Sequence, residues 1–110
     1  ATGTGVAPFA AMARAGVSGF TLLHGVRQAG ERYYASLFRS KARRYLACLS
    51  AEDSSEAGTF RGRVTDYLAS RLEPDRYDFY LCGRAEMVRD VTWLVDERFP
   101  GSMVYTEIFY

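Results

Sequence analysis

Apolar residues along this chain fall into two alternating patterns. Short, nearly continuous apolar runs stand at 19–24, 45–49, 78–83 and 103–108, each bounded by glycine or polar residues, and each reads as a strand. Between them apolar side chains recur every three or four positions, the spacing of one helix face. Small and apolar residues from Ala7 to about Ala15 predict a helix that Gly16 ends from the position beyond the C-cap. A second helix is expected from Glu31 to about Arg39, where Tyr34, Leu37 and Phe38 share a face. A third opens at Val64 and ends near Leu72, with Pro74 as its stop signal, and residues 50–62 before it read as a polar loop. The fourth runs from Ala85 to about Arg98, with Met87, Val91, Leu94 and Val95 inward and Pro100-Gly101 after it.

Alternating helices and short apolar strands imply an α/β domain, a parallel sheet with helices on both faces. In such a sheet ligands sit beyond the carboxyl ends of the strands. Gly25-Val26-Arg27, Ser50-Ala51-Glu52 and Cys82-Gly83-Arg84 occupy those ends, and Phe109-Tyr110 follow the last strand. The opening Ala1-Thr2-Gly3-Thr4-Gly5-Val6-Ala7-Pro8 reads as a phosphate-cradling loop that enters a helix. Gly3 and Gly5 permit backbone angles and close approach that a Cβ obstructs, Pro8 suits the first helical position, and free amides there face an anion. The third glycine of the dinucleotide fingerprint is replaced, so an ordinary turn is the competing reading. A loop of this kind follows a strand, and that first, central strand is expected to precede Ala1 and to be missing from the sequence.

With 110 residues, 48% of them hydrophobic and 25% charged, residues 1–110 are expected to form one domain. The net charge of +1 comes from mixed charges, and the densest basic patch, Lys41 with Arg43-Arg44, reads as a solvated helix end; no nucleic-acid partner is expected. No apolar run approaches the roughly 20 residues that span a bilayer, and the start has no charged segment followed by an apolar one. Cys48 and Cys82 are the only cysteines, lie within strand-like runs and lack Cys-x-x-Cys spacing, which suits a soluble protein of the reducing cytoplasm. His24 is the only histidine, so no histidine-rich metal site is expected and hydrolase readings lose their base.

ATGTGVAPF at 1–9, LLHGVR at 22–27, GRVTDYL at 62–68, YLCGRAEMV at 80–88 and TEIFY at 106–110 together resemble the pyridine-nucleotide-binding domain of ferredoxin–NADP reductase-like flavoenzymes. The motifs follow the family's order and approximate spacing across essentially the whole chain. HGVR and the ending in glutamate plus two aromatics are most similar to the bacterial type. The resemblance implies an FAD-binding β-barrel domain upstream, absent from this sequence. It also implies hydride transfer from the nicotinamide of NADPH or NADH to FAD, and electrons leaving for a ferredoxin or flavodoxin-like carrier. The 110 residues alone are not expected to reduce flavin.

By the same resemblance, Gly3, Thr4 and Gly5, entering the helix at Pro8, hold the pyrophosphate and border the nicotinamide. Cys82 and Gly83 lie beside the reacting carbon, with Cys82 as a polarizable wall. Glu107 serves hydride-transfer geometry and proton movement. A terminal aromatic stacks on the flavin: Phe109 if counted from Glu107, Tyr110 if counted from the terminus. Each residue has a plainer reading: a buried strand cysteine for Cys82, a surface carboxylate for Glu107, core closure for the aromatics, helix-edge charge for Arg27 and Arg63.

The nucleotide is read from cations, because forked arginines discriminate a 2′-phosphate best. The family's arginine after the serine is replaced here, since Ser50 precedes Ala51 and Glu52. Arg27 and Arg63, with Arg61 nearby, stand where some bacterial relatives place phosphate-binding arginines. These favour NADPH, with NADH or dual use as the alternative. A second class of reading is a redox-inactive nucleotide-binding or protein-interaction module of the same fold, motivated by Ala51 and the missing strand. Cys82, Glu107 and the terminal aromatics together favour the oxidoreductase.

Overall fold

The computed structural model describes residues 1–108, which build the strands β1 (Thr21–Val26), β2 (Arg44–Leu49), β3 (Thr59–Arg61), β4 (Asp78–Gly83) and β5 (Met103–Ile108). The helices are α1 (Ala7–Arg14), α2 (Ala35–Lys41), α3 (Val64–Ser70) and α4 (Ala85–Arg98). β1, β2 and β3 pair in that order, β4 pairs with β5, and every pairing is parallel. Ala1 and Thr2 run between the two sheets. The amino group of Ala1 donates to the Leu23 carbonyl at 2.9 Å and the Gly25 amide to the Ala1 carbonyl at 2.8 Å. On the other side the Thr2 amide donates to the Cys82 carbonyl at 3.3 Å. These two residues therefore strap β1 to β4 at their carboxyl ends.

Helices cover both faces of the three-stranded sheet and one face of the β4–β5 pair. Leu46, Cys48 and Leu81 pack with Val64 and Leu68 of α3 and Val88, Val91 and Val95 of α4, while Leu22 and Tyr45 pack with Ala10 and Ala13 of α1 and Phe38 of α2. This explains why β2 is apolar from Tyr45 to Leu49 without alternation: each of those residues is buried on one face or the other. Arg98 fastens the second layer. Its guanidinium donates to the carbonyls of Leu68 at 3.0 Å and Leu72 at 2.9 Å, oxygens at the end of α3 that have no helical partner. At the end of α1, Gly16 takes φ +106. Its amide bonds the Ala13 carbonyl and that of Val17 the Met12 carbonyl, both at 3.1 Å, the paired bonds of a Schellman stop.

The elements differ from the sequence pattern in four places. β1 lies two residues later than 19–24, because Gly19 (φ +76) bends the chain and the strand continues to Val26. The second helix starts at Ala35 rather than Glu31: Ala29–Glu31 is a separate 3₁₀ turn closed by a 3.0 Å bond from the Gln28 amide to Glu31 Oε1. Tyr34 then interrupts the helical path with φ 63. The polar loop contains β3, three residues paired with Ala47–Leu49 and too short to show periodicity. Finally, a 3₁₀ turn at Gly3–Val6 leads into α1, so Pro8 is its second residue rather than its first; the first, Ala7, uses its amide to close the turn onto the Thr4 carbonyl, a bond that proline there would remove.

Candidate functional site

At the carboxyl ends of the strands the chain leaves a cavity of about 360 Å³. Its wall is built from Gly3 of the opening turn, Arg27 after β1, Ser50 after β2, Arg63 before α3 and Arg84 before α4. Parallel register brings the first of these together: the Ser50 amide donates to the Val26 carbonyl and the Ala51 amide to the Arg27 carbonyl, each at 3.0 Å. Arg63 is fixed through its backbone, whose amide donates to Asp66 Oδ2 at 2.7 Å in the first turn of α3. Among the described residues Arg27, Arg63 and Arg84 form no ion pair, whereas Arg61 pairs with Asp53 at 3.5 Å on the surface. The cavity lining is mixed in charge. Arg27 and Arg63 line it with Glu31, and Arg84 lines it with Glu86 and Asp90 of α4, so each side carries both signs.

The opening turn and the end of β4 are pressed together. A Cβ on Gly5 would stand 2.6 Å from the Gly83 Cα and 2.7 Å from the Cys82 carbonyl oxygen, so no side chain fits there. Gly83 has φ +143, and a Cβ on it would meet the Thr2 hydroxyl. That hydroxyl accepts the Arg84 amide at 3.2 Å. Cys82 is buried in this contact, and Glu107 is its register partner on β5. Gly3 is different: with φ +52 and no atom within 4 Å of a Cβ position, it is glycine for its backbone angle and leaves open space beside it.

The structure thus gathers Gly3, Arg27, Ser50 and Arg63 around one cavity and packs Gly5, Cys82 and Gly83 beside it. Thr4 faces a separate hollow with Tyr33 and Tyr34. Pro8 lies within α1 and lines neither space. Phe109 and Tyr110 lie outside the described residues. Among the described residues no group of three or more His, Cys, Asp or Glu could hold a metal ion, and no helix is long and apolar enough to cross a membrane.

Two further residues belong to the site although the motifs alone do not single them out. Arg84 lines the cavity directly after Cys82-Gly83, a strand-end position legible from the sequence without a role attached. His24 is buried, with Nε2 3.0 Å from the Gly3 carbonyl oxygen and Nδ1 3.1 Å from the Tyr45 hydroxyl. Burial pulls its pKa below the usual imidazole value; the bond to Gly3 opposes this and the Ala1 amine adds to it. Strand alternation points His24 to the same face as Leu22 and Val26, which was the available signal. Burial likewise pushes the Cys48 thiol up to about 12, so at neutral pH it is a protonated wall of the cavity.

A family model described as an oxidoreductase NAD-binding domain matches residues 1–92. That span includes the opening turn, both strand-end arginines, Ser50 and the Cys82-Gly83 pair. No curated protein matches the chain.

Proposed function

The chain belongs to the oxidoreductase NAD-binding domain family, and from that premise we propose that it positions NADPH or NADH for hydride transfer to an FAD held mainly by a neighbouring domain, with electrons passing on to a ferredoxin- or flavodoxin-like carrier. The observation that carries this reading is the convergence of Gly3, Arg27, Ser50 and Arg63, from four separate segments, on one cavity beside Cys82-Gly83. The residues fit a dinucleotide. Gly3 leaves open space at the turn, and two unpaired arginines offer forked donors to phosphate.

FAD, when bound, supplies the hydride acceptor; the residues of this chain bind, orient and exclude water. The opening turn holds the pyrophosphate, Cys82 and Gly83 limit the space beside the nicotinamide, and Glu107, opposite Cys82 in register, serves transfer geometry and proton movement. An exposed apolar strip supports a neighbouring protein surface: Tyr80 and Tyr105 stack 4.8 Å apart, 52% and 45% exposed, with Met103 beside them in the same sheet. Arg27, Ser50 and Arg63 in one wall favour the 2′-phosphate of NADPH. NADH is the second reading, because Ala51 stands at the family's arginine position and Glu52 accepts the Ala29 amide at 3.3 Å.

Calorimetry of the full chain with NADP⁺ and NAD⁺ at two salt concentrations tests the reading. Tighter, salt-sensitive NADP⁺ binding supports NADPH, preference for NAD⁺ supports an NADH-dependent reductase, and binding of neither overturns it. In a flavin-containing polypeptide that includes this chain, bleaching of the flavin by the preferred nucleotide is the expected result.

A further inference from the structure

His24 is the one buried polar or charged side chain among the described residues, and both its ring nitrogens are engaged. A carbonyl oxygen only accepts, so the 3.0 Å contact with Gly3 requires the proton on Nε2. Nδ1 then accepts from the Tyr45 hydroxyl at 3.1 Å. Tyr45 is itself held by a stacked contact with the buried Phe38, ring centroids 5.7 Å apart. A chain of contacts therefore runs from α2 through β2 and β1 to the opening turn.

We propose that His24 is a positioning residue for the nucleotide, a lock on the Gly3–Thr4 peptide. The peptide is planar and trans, so a carbonyl turned inward to His24 points the Thr4 N–H the opposite way, away from the imidazole, where the Gly3 cavity adjoins the hollow that Thr4 lines. Thr4 lies in the first turn, where its amide has no acceptor within the turn. Gly3 is the residue best able to let this peptide flip, since it has no Cβ and nothing crowds it. A flipped peptide presents a carbonyl oxygen to an incoming phosphate in place of an amide. His24 blocks that flip while touching no ligand itself.

This inference rests on the reading of the opening turn as the pyrophosphate holder, and the experiment separates the two. The full chain is titrated with ADP-ribose, which carries the pyrophosphate, and with adenosine, which lacks it, while the Thr4 amide is followed by NMR. Wild-type chain is expected to bind ADP-ribose more tightly than adenosine, with a large Thr4 shift. His24→Ala is expected to lose about tenfold in ADP-ribose affinity, the worth of one amide bond to a charged group, together with the Thr4 shift, and to keep its adenosine affinity. His24→Gln, whose amide reaches toward Gly3 as Nε2 does, is expected to recover part of the loss, and His24→Asn to recover none. If His24→Ala keeps wild-type ADP-ribose affinity and Thr4 shift, the lock is overturned and the pyrophosphate reading stands. If wild-type chain shows no advantage of ADP-ribose over adenosine, both fall. Should the alanine variant fail to fold, the Gln and Asn pair decides. The ¹⁵N spectrum of this single histidine adds an independent check: protonation at Nδ1 instead of Nε2 overturns the lock without any variant.

Discussion

Gly5 and Gly83 meet backbone to backbone, with the Gly83 Cα only 2.6 Å from where a Cβ on Gly5 would stand. The contact joins the opening turn to the end of β4 and so sets the distance between the two sheets. Gly5→Ala places a methyl against backbone atoms that cannot rotate away. The expected cost is about 1–3 kcal/mol of overpacking, or roughly 5–15 °C in the melting temperature of a domain this size. Gly3→Ala, with φ +52 and open space, carries only backbone strain of about 1–2 kcal/mol. Thermal melts of the two variants check the order. A Gly5→Ala chain as stable as wild type would refute the close contact.

Arg27→Ala and Arg63→Ala are each expected to weaken NADP⁺ about tenfold and NAD⁺ by less than about threefold, since each removes a charged donor from the Ser50 wall. Arg84 stands by Cys82-Gly83, away from Ser50, and Arg84→Ala is expected to weaken both nucleotides equally. Calorimetry of the three variants at two salt concentrations distinguishes them; equal weakening by Arg27→Ala means that Arg27 does not read the 2′-phosphate.

Most of the fold was legible because burial leaves a strong mark. β2, β4, β5, α1, α3 and α4 follow from apolar runs, glycine stops and helical spacing close to their observed bounds. What was not legible depends on contacts distant in sequence. β3 owes its existence to pairing with Ala47–Leu49, and Tyr34 adopts φ 63 between a turn and a helix that share one apolar spacing. The cavity shows the same division. Strand ends announced Arg27, Ser50, Cys82 and Gly83, but the bond of His24 to Gly3 joins residues 21 positions apart and has no sequence pattern of its own.

In a flavin-containing polypeptide that includes this chain, Glu107→Gln is expected to slow hydride transfer by about tenfold or more while nucleotide affinity stays within about twofold, the signature of a group that acts on transfer rather than binding. Its register position opposite Cys82 motivates the choice. Stopped-flow flavin reduction gives the rate and calorimetry the affinity. Normal transfer with a large loss of affinity would remove Glu107 from the proposed role.

Both thiols are expected to resist alkylation in the folded chain. Cys48 and Cys82 are buried, and Cys48, with its pKa pushed up to about 12, holds almost no thiolate at pH 8. Iodoacetamide at pH 8 followed by mass spectrometry is expected to leave both unmodified in buffer and to label both in denaturant. Rapid labelling of Cys48 in buffer would mean that the packing between β2 and α3 opens.

His24 gives the chain a pH dependence whose sign follows from its lowered pKa. The unfolded chain takes up a proton as pH falls through the ordinary imidazole value of 6.5, while the folded chain resists because its ring is buried with Nδ1 already accepting from Tyr45. Below 6.5 the unfolded state therefore binds more protons, and stability falls with falling pH until the folded value is passed, by at most about 1.4 kcal/mol per pH unit. Above 6.5 the contribution is complete and the dependence vanishes. His24→Gln has no ring to protonate, so wild type minus variant isolates this group together with its coupling to the Ala1 amine and cancels the titrations that His24 does not touch. Denaturant unfolding between pH 5 and 8 is expected to show that difference constant above about 6.5 and shrinking below it. A difference that stays flat to pH 5 would mean that the imidazole is solvated in the folded chain rather than buried, since burial is what lowers its pKa.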